Sequence, residues 1–300
     1  MSFVNSSIPI KYTFSGHDSF QCRFFWLKKG YDFVYNNKSF NDEDAVVQLG
    51  VGRNMVNAIR FWLKAFNITD TNDNLTEFGN RLFNDDGWDP FLEDEASLWL
   101  LHFQLVKNNL ASIYNIIFND FRKEKVLFTK ESFVNYMKRR RETEGSFYLN
   151  ESTIANDYDV FIKTYKSADD DSKDIEDSFS GILSELNLLE KVVVEHDDRK
   201  KEVFLQIPYN EKDEIPKEVL LYSILDNPEY GMAISLNSLA YDSNSPGSIF
   251  SITQSGLVNK INEIVTDSDL LIYNDHAGIK ELQFKRKTSA NSVMDRYYGK

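Results

Sequence analysis

The residues with the clearest chemical pattern lie between positions 53 and 64. Arg53, Asn57, Arg60 and Lys64 recur at steps of four, three and four, with Asn54 beside the first of them. On a helix this spacing makes one polar stripe. Arg can pair in two points with the O6/N7 edge of guanine, and Asn with the N6/N7 edge of adenine, so the stripe suits a helix lying in the major groove of duplex DNA. The same pattern also describes an amphipathic surface helix whose polar face is simply hydrated. A second cationic group, Lys138, Arg139, Arg140 and Arg141, offers phosphate contacts. Its expected place at a helix C-terminus also favours the helix dipole without any ligand.

Catalytic patterns are absent by comparison. His17 and Asp18 stand together, but no second histidine or nucleophile lies at a motif spacing, and a structural role is the expectation for both. His102 falls inside an apolar run, as a hydrogen-bonded core histidine would. Asp169, Asp170 and Asp171 are consecutive and lack the alternation of a calcium loop. The chain has no phosphate-binding glycine loop, no His-Glu-x-x-His and no Gly-x-Ser-x-Gly elbow. Cys22 is the single cysteine, which removes internal disulfides and cysteine-rich zinc sites. The expectation is a protein without metal, cofactor or catalytic residue.

The stripe needs a scaffold, and the flanking sequence supplies one. Residues 44–66 read as helix, tight turn and helix. Ala45, Val46 and Leu49 face inward from the first helix, and Gly50-Val51-Gly52 breaks it. The second helix buries Met55, Val56, Ile59, Leu63 and Phe66. Asn41 and the acidic turn 42–44 start the hairpin. After it, residues 67–69 and 75–76 read as two short strands around a polar tip, and Thr76 caps a helix over 77–83. Helix, small wing and helix in this order read as a winged helix.

The remaining chain repeats that grammar. Residues 1–13 read as a loose arm. A helix using Phe24, Phe25, Leu27 and Tyr31 is capped by Ser15 or Asp18 and stopped by Gly30. Trp88 and Phe91 anchor a turn by burial. Residues 93–120 are helical, with a break at Asn108-Asn109, and Thr129 caps a helix over 130–140. Residues 142–150 form a polar linker, followed by a helix over 151–166 and an exposed acidic loop. A helix from Ile175 to Leu186 then leads into strands 191–195 and 202–207. Helices over 217–225, 236–241 and 255–265 follow, the last two separated by a turn at Ser245-Pro246-Gly247. A final hairpin pairs 270–273 with 279–285.

A length of 300 residues suggests two or three domains. The boundaries read as 1–141, an N-terminal winged-helix domain with a helical extension; 151–210, a second winged-helix-like unit; and 211–300, a C-terminal helix–hairpin unit. The fold class is mainly α with small β-hairpins and multiple winged-helix-like units. No apolar run is long enough for a membrane span and no signal-peptide layout opens the chain, so a soluble cytoplasmic protein is expected. The net charge of −13 argues against a general nucleic-acid coat. The charge is polarised, however: residues 122–141 hold eight Lys/Arg against two Asp/Glu, and residues 142–198 hold sixteen Asp/Glu against four Lys. An acidic protein can still bind DNA through one local face.

Several stretches together resemble a bacterial family without assigned activity, the domain of unknown function four-thousand-and-seven. They are FSGHDSFQCRFFWLKKGYD, VVQLGVGRNMVNAIRFW, LTEFGNRLF, DPFLEDEASLWLLHFQL, SPGSIF and HAGIKEL, in order along nearly the whole chain. The resemblance implies an association with DNA sulfur modification (phosphorothioation) and phage defence. It carries no catalytic residues over, and it leaves the roles of His17 and Asp18 open. The combined expectation is an accessory or regulatory protein that binds double-stranded DNA. The alternative is an adaptor whose winged helices bind a protein of the sulfur-modification machinery.

Overall fold

The apolar stripe of residues 56–66 forms the spine of the N-terminal half. In this computed structural model, which describes residues 12–144, 150–166, 181–195, 201–276 and 278–300, helices α1 (Trp26–Tyr35) and α2 (Ala45–Leu49) pack on α3 (Arg53–Ala65). Val56, Ile59, Trp62 and Leu63 are fully buried, as their spacing predicts. Gly50 closes α2 in the left-handed region at φ 62°, which an L side chain resists. Gly30 does not stop α1. It sits inside the helix, where a Cβ would lie 2.7 Å from Leu63 and 2.9 Å from Ile59. The glycine serves close helix packing instead of termination. Ser15 and Asp18 lie well before α1 in left-handed conformations and do not cap it.

The expected strands on either side of Asp70 reduce to one antiparallel bridge, Thr69 to Leu75. The Asp70 carboxylate accepts from the Asn72 and Asn74 backbone and from the Asn74 amide. That tight side-chain turn uses up the residues a longer ladder would need. Thr76 then caps α4 (Glu77–Phe83), accepting from the Gly79 N–H at 2.9 Å. In the following turn Trp88 is buried but Phe91 is not; Leu92, with φ 55°, turns inward in its place.

Helix α5 (Glu95–Asn108) is capped by Asp94 and ends at left-handed Asn109, the break the asparagine pair predicts. It is followed by α6 (Ser112–Ile116), a π-turn over Ile117–Phe121 and α7 (Arg122–Glu124). Helix α8 (Lys130–Glu144) runs past position 140, and the basic run occupies its C-terminal part, with Arg141 in the last turn. One reason is local: Arg140 bonds Glu144 one turn on, at 2.7 Å. Asn150 caps α9 (Glu151–Tyr165). Most of the loosely held arm, the acidic loop at 169–171 and the start of the helix expected from Ile175 lie outside the described residues. Tyr12 and Thr13 are tied down, to Glu144 and Ser112 respectively. Residues 181–186 form a turn and a 3₁₀ segment, Ser184–Leu186, not an α-helix.

Strands β1 (Glu190–Glu195) and β2 (Lys201–Gln206) pair antiparallel as expected. The C-terminal part contains α10 (Lys217–Leu225), β3 (Ala233–Ser235), α11 (Leu236–Tyr241), α12 (Pro246–Ile249), α13 (Gln254–Asp267), β4 (Leu271–His276), β5 (Ile279–Phe284) and α14 (Ala290–Tyr297). The expected final hairpin gains a third strand, in the antiparallel order β3–β5–β4. A strand of three residues is too short for its alternation to stand out in the sequence. Ser245 caps α12, which makes the Ser-Pro-Gly turn a helix start. Helix α14 returns to the N-terminal half: Asp295 accepts from Arg81 at 2.6 Å and from the Trp88 indole at 2.9 Å. Mainly helical structure with small antiparallel hairpins is therefore what the chain adopts. No helix among the described residues is long and apolar enough to cross a membrane.

Candidate nucleic-acid interface

The polar stripe of α3 divides into two halves with different surroundings. At the N-terminal half, Arg53, Asn54 and Asn57 are exposed. None of the three forms an ion pair or a side-chain hydrogen bond among the described residues. The turn that precedes them is open: a Cβ added at Gly50 or Gly52 would meet no atom within 4 Å. The first N–H groups of α3 thus border open space, with the positive end of the helix dipole behind them.

The other half is occupied. Arg60 gives Nε to both oxygens of Asp73 at 3.0 Å, and Nη2 to one of them at 2.5 Å. Its Nη1 reaches the Asn41 side chain at 3.1 Å. Lys64 contacts the same aspartate at 2.9 Å and the Thr71 carbonyl at 3.0 Å. Burial pushes the Asp73 carboxyl up, but hydrogen bonds and charge from Arg60 and Lys64 outweigh it and hold the group below the usual carboxylate range. The tip between Thr69 and Leu75 therefore brings an acid onto the stripe. Asp73 was missed in the sequence, and its separation from Arg60 shows no helical or strand periodicity that could have signalled the contact.

The basic run of α8 is similarly engaged. Lys138 pairs with Glu151 at 2.9 Å, Arg139 with Glu124, and Arg140 with Asp120 at 2.6 Å as well as with Glu144. Arg140 also lies over the Tyr12 ring. Arg141 is exposed and makes no ion pair among the described residues. The structure thus keeps Arg53 and Arg141 available while Arg60, Lys64, Lys138, Arg139 and Arg140 already carry anionic partners.

The signature segment around His17 is part of the core. His17 is 1% exposed and stacks on Trp62, with ring centroids 5.5 Å apart and planes 7° apart. Its Nε2 is 3.4 Å from Asp157, whose carboxylate also accepts the Ser15 N–H. Ser15, Asp18 and Ser19 all have positive φ, so this loop is held in a shape costly for those residue types. A Cβ on Gly16 would meet the Phe61 ring at 2.2 Å, which fixes the loop against α3. The Asp18 side chain is exposed and forms no hydrogen bond or ion pair with His17 or Asp157 among the described residues. His102 is fully buried between the Tyr165 hydroxyl at 2.8 Å and the Ile249 carbonyl at 2.9 Å. Burial depresses its pKa to about 3, against the raising effect of the carbonyl and with the nearby Lys212 charge acting in the same direction as burial.

Beside the helical hairpin lies a groove of about 730 Å³ between α1, the end of α2 and the loop at 90–92. Phe25 and Phe91 stand exposed in its walls. No motif pointed to this groove, because its lining comes from three separate stretches. Among the described residues no group of three or more His, Cys, Asp or Glu side chains is placed to hold a metal ion.

A family model described as protein of unknown function, DUF4007, matches residues 14–298, and the chain belongs to that family. Two solved structures are similar over most of their length. One is of magnesium-ion-bound SspB, 28% identical, covering 96% of this chain and 88% of that chain, with a TM-score of 0.81. The other, of SspB, has the same identity and coverage and a TM-score of 0.80. No curated protein matches the chain.

Proposed function

We propose that this protein is a DNA-binding accessory or regulatory component of a bacterial DNA-modification system of the phosphorothioation type, or of a related phage-defence system. The family resemblance and the likeness to SspB support the placement in such a system. The observation that carries the DNA reading is the N-terminal half of α3, where Arg53, Asn54 and Asn57 are exposed, without side-chain partners among the described residues, and follow an open glycine turn. Base contacts in helix-turn-helix proteins come from this end of the second helix. Arg53, Asn54 and Asn57 are assigned to base edges or the adjacent backbone, and Arg60 and Lys64 to phosphates reached once Asp73 yields. Arg141 is the phosphate contact offered by the run Lys138 to Arg141. The order α10–β3–α11–α12–α13–β4–β5, with the first strand paired to the last and the short α12 inserted between α11 and α13, supports a winged-helix reading of the C-terminal unit. Its α13 exposes Ser255, Asn259, Asn262, Glu263 and Asp267 without a cation, which suits a protein partner better than DNA.

The test is fluorescence anisotropy with unmodified and phosphorothioated duplexes at two salt concentrations. Wild type should bind at low salt with steep salt dependence, and the double variant Arg53→Ala, Asn57→Ala should lose sequence preference, at roughly 1–3 kcal/mol per lost bidentate contact. Absence of binding to either duplex at low salt, or equal binding by the double variant, would overturn it. A second reading, an adaptor for a protein of the sulfur-modification machinery, is favoured by Asp73 covering Arg60 and Lys64 and by the exposed acids 42–44 beside Asn41. Such an adaptor would form a complex with a sulfur-modification protein that survives removal of DNA by nuclease.

A further inference from the structure

The groove beside α2 combines three features that are rarely found together on a surface of this charge. Phe25 is 73% exposed and Phe91 is 65% exposed, far more than burial-driven folding would leave for either ring. The two rings do not stack on one another; Phe25 meets Phe24 edge to face, with ring centroids 5.3 Å apart, and both Phe25 and Phe91 remain largely exposed beside the groove. Its charged lining is three lysines against one aspartate, in a chain of net charge −13. Lys28 is committed to Asp32 at 2.6 Å. Lys29 bonds the Leu49 carbonyl at 3.2 Å and forms no ion pair with a carboxylate among the described residues. Lys38 is exposed and has no ion pair among the described residues. Asn36 and Gln48 each use their amide nitrogen on the protein, leaving the amide oxygens free to accept.

We propose that this groove binds an unpaired nucleotide of DNA, its base against Phe25 and Phe91 and its phosphates beside Lys29 and Lys38. Flat aromatic faces with cations along the rim are the elements by which single strands are held. The free amide oxygens can accept from N–H groups on the pairing edge of a base, the N3–H of thymine among them. Position supports the same occupant: Gln48 and Leu49 are the last residues of α2, immediately before the open turn into α3, so DNA docked on α3 passes the mouth of the groove. The inference rests on the DNA reading above but uses different residues. An acidic peptide would satisfy the lysines, but it would leave the position next to α3 without meaning.

The experiment uses the full chain and three fluorescein-labelled probes: a fully paired duplex, the same duplex with one unpaired thymine, and the single strand. Anisotropy should show about tenfold tighter binding to the duplex with the unpaired thymine than to the paired one. Phe25→Ala and Phe91→Ala should each remove most of that preference and leave paired-duplex affinity and thermal midpoint unchanged, since both rings are exposed. Lys29→Ala, Lys38→Ala should flatten the salt dependence for the single strand. A 5-iodouracil at the unpaired position should photo-crosslink to peptides containing residue 25 or 91. Paired-duplex binding that depends on Arg53 and Asn57 but shows no preference for the unpaired base would overturn this inference alone. Single-strand binding that needs Phe25 and Phe91, with no duplex binding, would uphold it and overturn the role of α3. Crosslinks confined to other surfaces, or an unchanged preference in both phenylalanine variants, would also overturn it.

Discussion

Arg60 and Asp73 form a two-point ion pair, with Nε and Nη2 of the guanidinium on the same carboxylate, and Lys64 joins it from one turn further along α3. The middle of the candidate recognition helix is thereby closed by an acid from its own neighbouring turn. Replacing Asp73 with Asn should release both cations. If α3 meets DNA, Asp73→Asn should strengthen binding to all sequences alike and steepen the salt dependence by up to about two phosphate contacts. If α3 meets a protein, the same change should leave DNA binding absent.

The same pair sets a pH dependence. Asp73 is held below its ordinary value in the folded state, so its stabilisation is fully present above the unfolded carboxylate pKa and is lost as pH falls through the lower folded one. Asp73→Asn should cost about 1 kcal/mol at neutral pH, because solvent partly screens the pair. The difference from wild type should shrink in strongly acidic buffer. Denaturant melts of both proteins at several pH values would check this.

His102 gives a second acid sensitivity of different origin. Its folded pKa of about 3 lies below the ordinary histidine value, so the unfolded chain takes up a proton that the folded chain refuses. Stability is complete above about pH 6.5 and falls between there and about pH 3, with a limiting slope of roughly 1.4 kcal/mol per pH unit. A His102→Gln variant should be less stable at neutral pH, because the fit to Tyr165 and Ile249 is disturbed, but its pH slope in that window should be shallower by this one proton. An unchanged slope would show that His102 is not the group responsible.

Packing between α1 and α3 should be sensitive in both directions. Ile59 is fully buried, and Ile59→Ala should cost about 2–5 kcal/mol. Gly30→Ala places a methyl against Leu63 and Ile59 and should cost about 1–3 kcal/mol by overpacking. The double variant should be more stable than the sum of the two costs predicts, since the space vacated at Ile59 receives the new methyl. Calorimetric midpoints of the three variants measure this coupling.

The basic run should separate into structural and free members. Arg140 is hydrogen-bonded to Asp120, Glu144 and the Tyr136 hydroxyl, so Arg140→Ala should cost about 1–3 kcal/mol. Arg141→Ala should change stability by less than about 0.5 kcal/mol, and if the run contacts phosphates it should still weaken DNA binding. Thermal melts and anisotropy on the same two variants would distinguish the roles.

What the sequence determined by itself was the local order. The 3.6-residue periodicity of Val56, Ile59 and Leu63, the cap at Thr76, the break at Asn109 and the alternation of β1 and β2 all depend on neighbours a few residues away, where side-chain spacing fixes which face is buried. The family signature was likewise readable, because it lies in the order of residues. Tertiary structure decided which charges remain available. Arg53, Arg60, Lys64, Lys138, Arg139 and Arg140 look equivalent in a linear chain. An ion pair forms wherever the fold brings a carboxylate within a few ångströms, and Asp73, Asp120, Glu124 and Glu151 reach their partners through turns and helix crossings that no periodicity encodes. The same physics placed Gly30 inside a helix, turned Leu92 inward and left Phe91 facing a groove. It also buried His17 against Trp62 and Asp157, because only packing in three dimensions determines which side of a short, irregular loop meets the core.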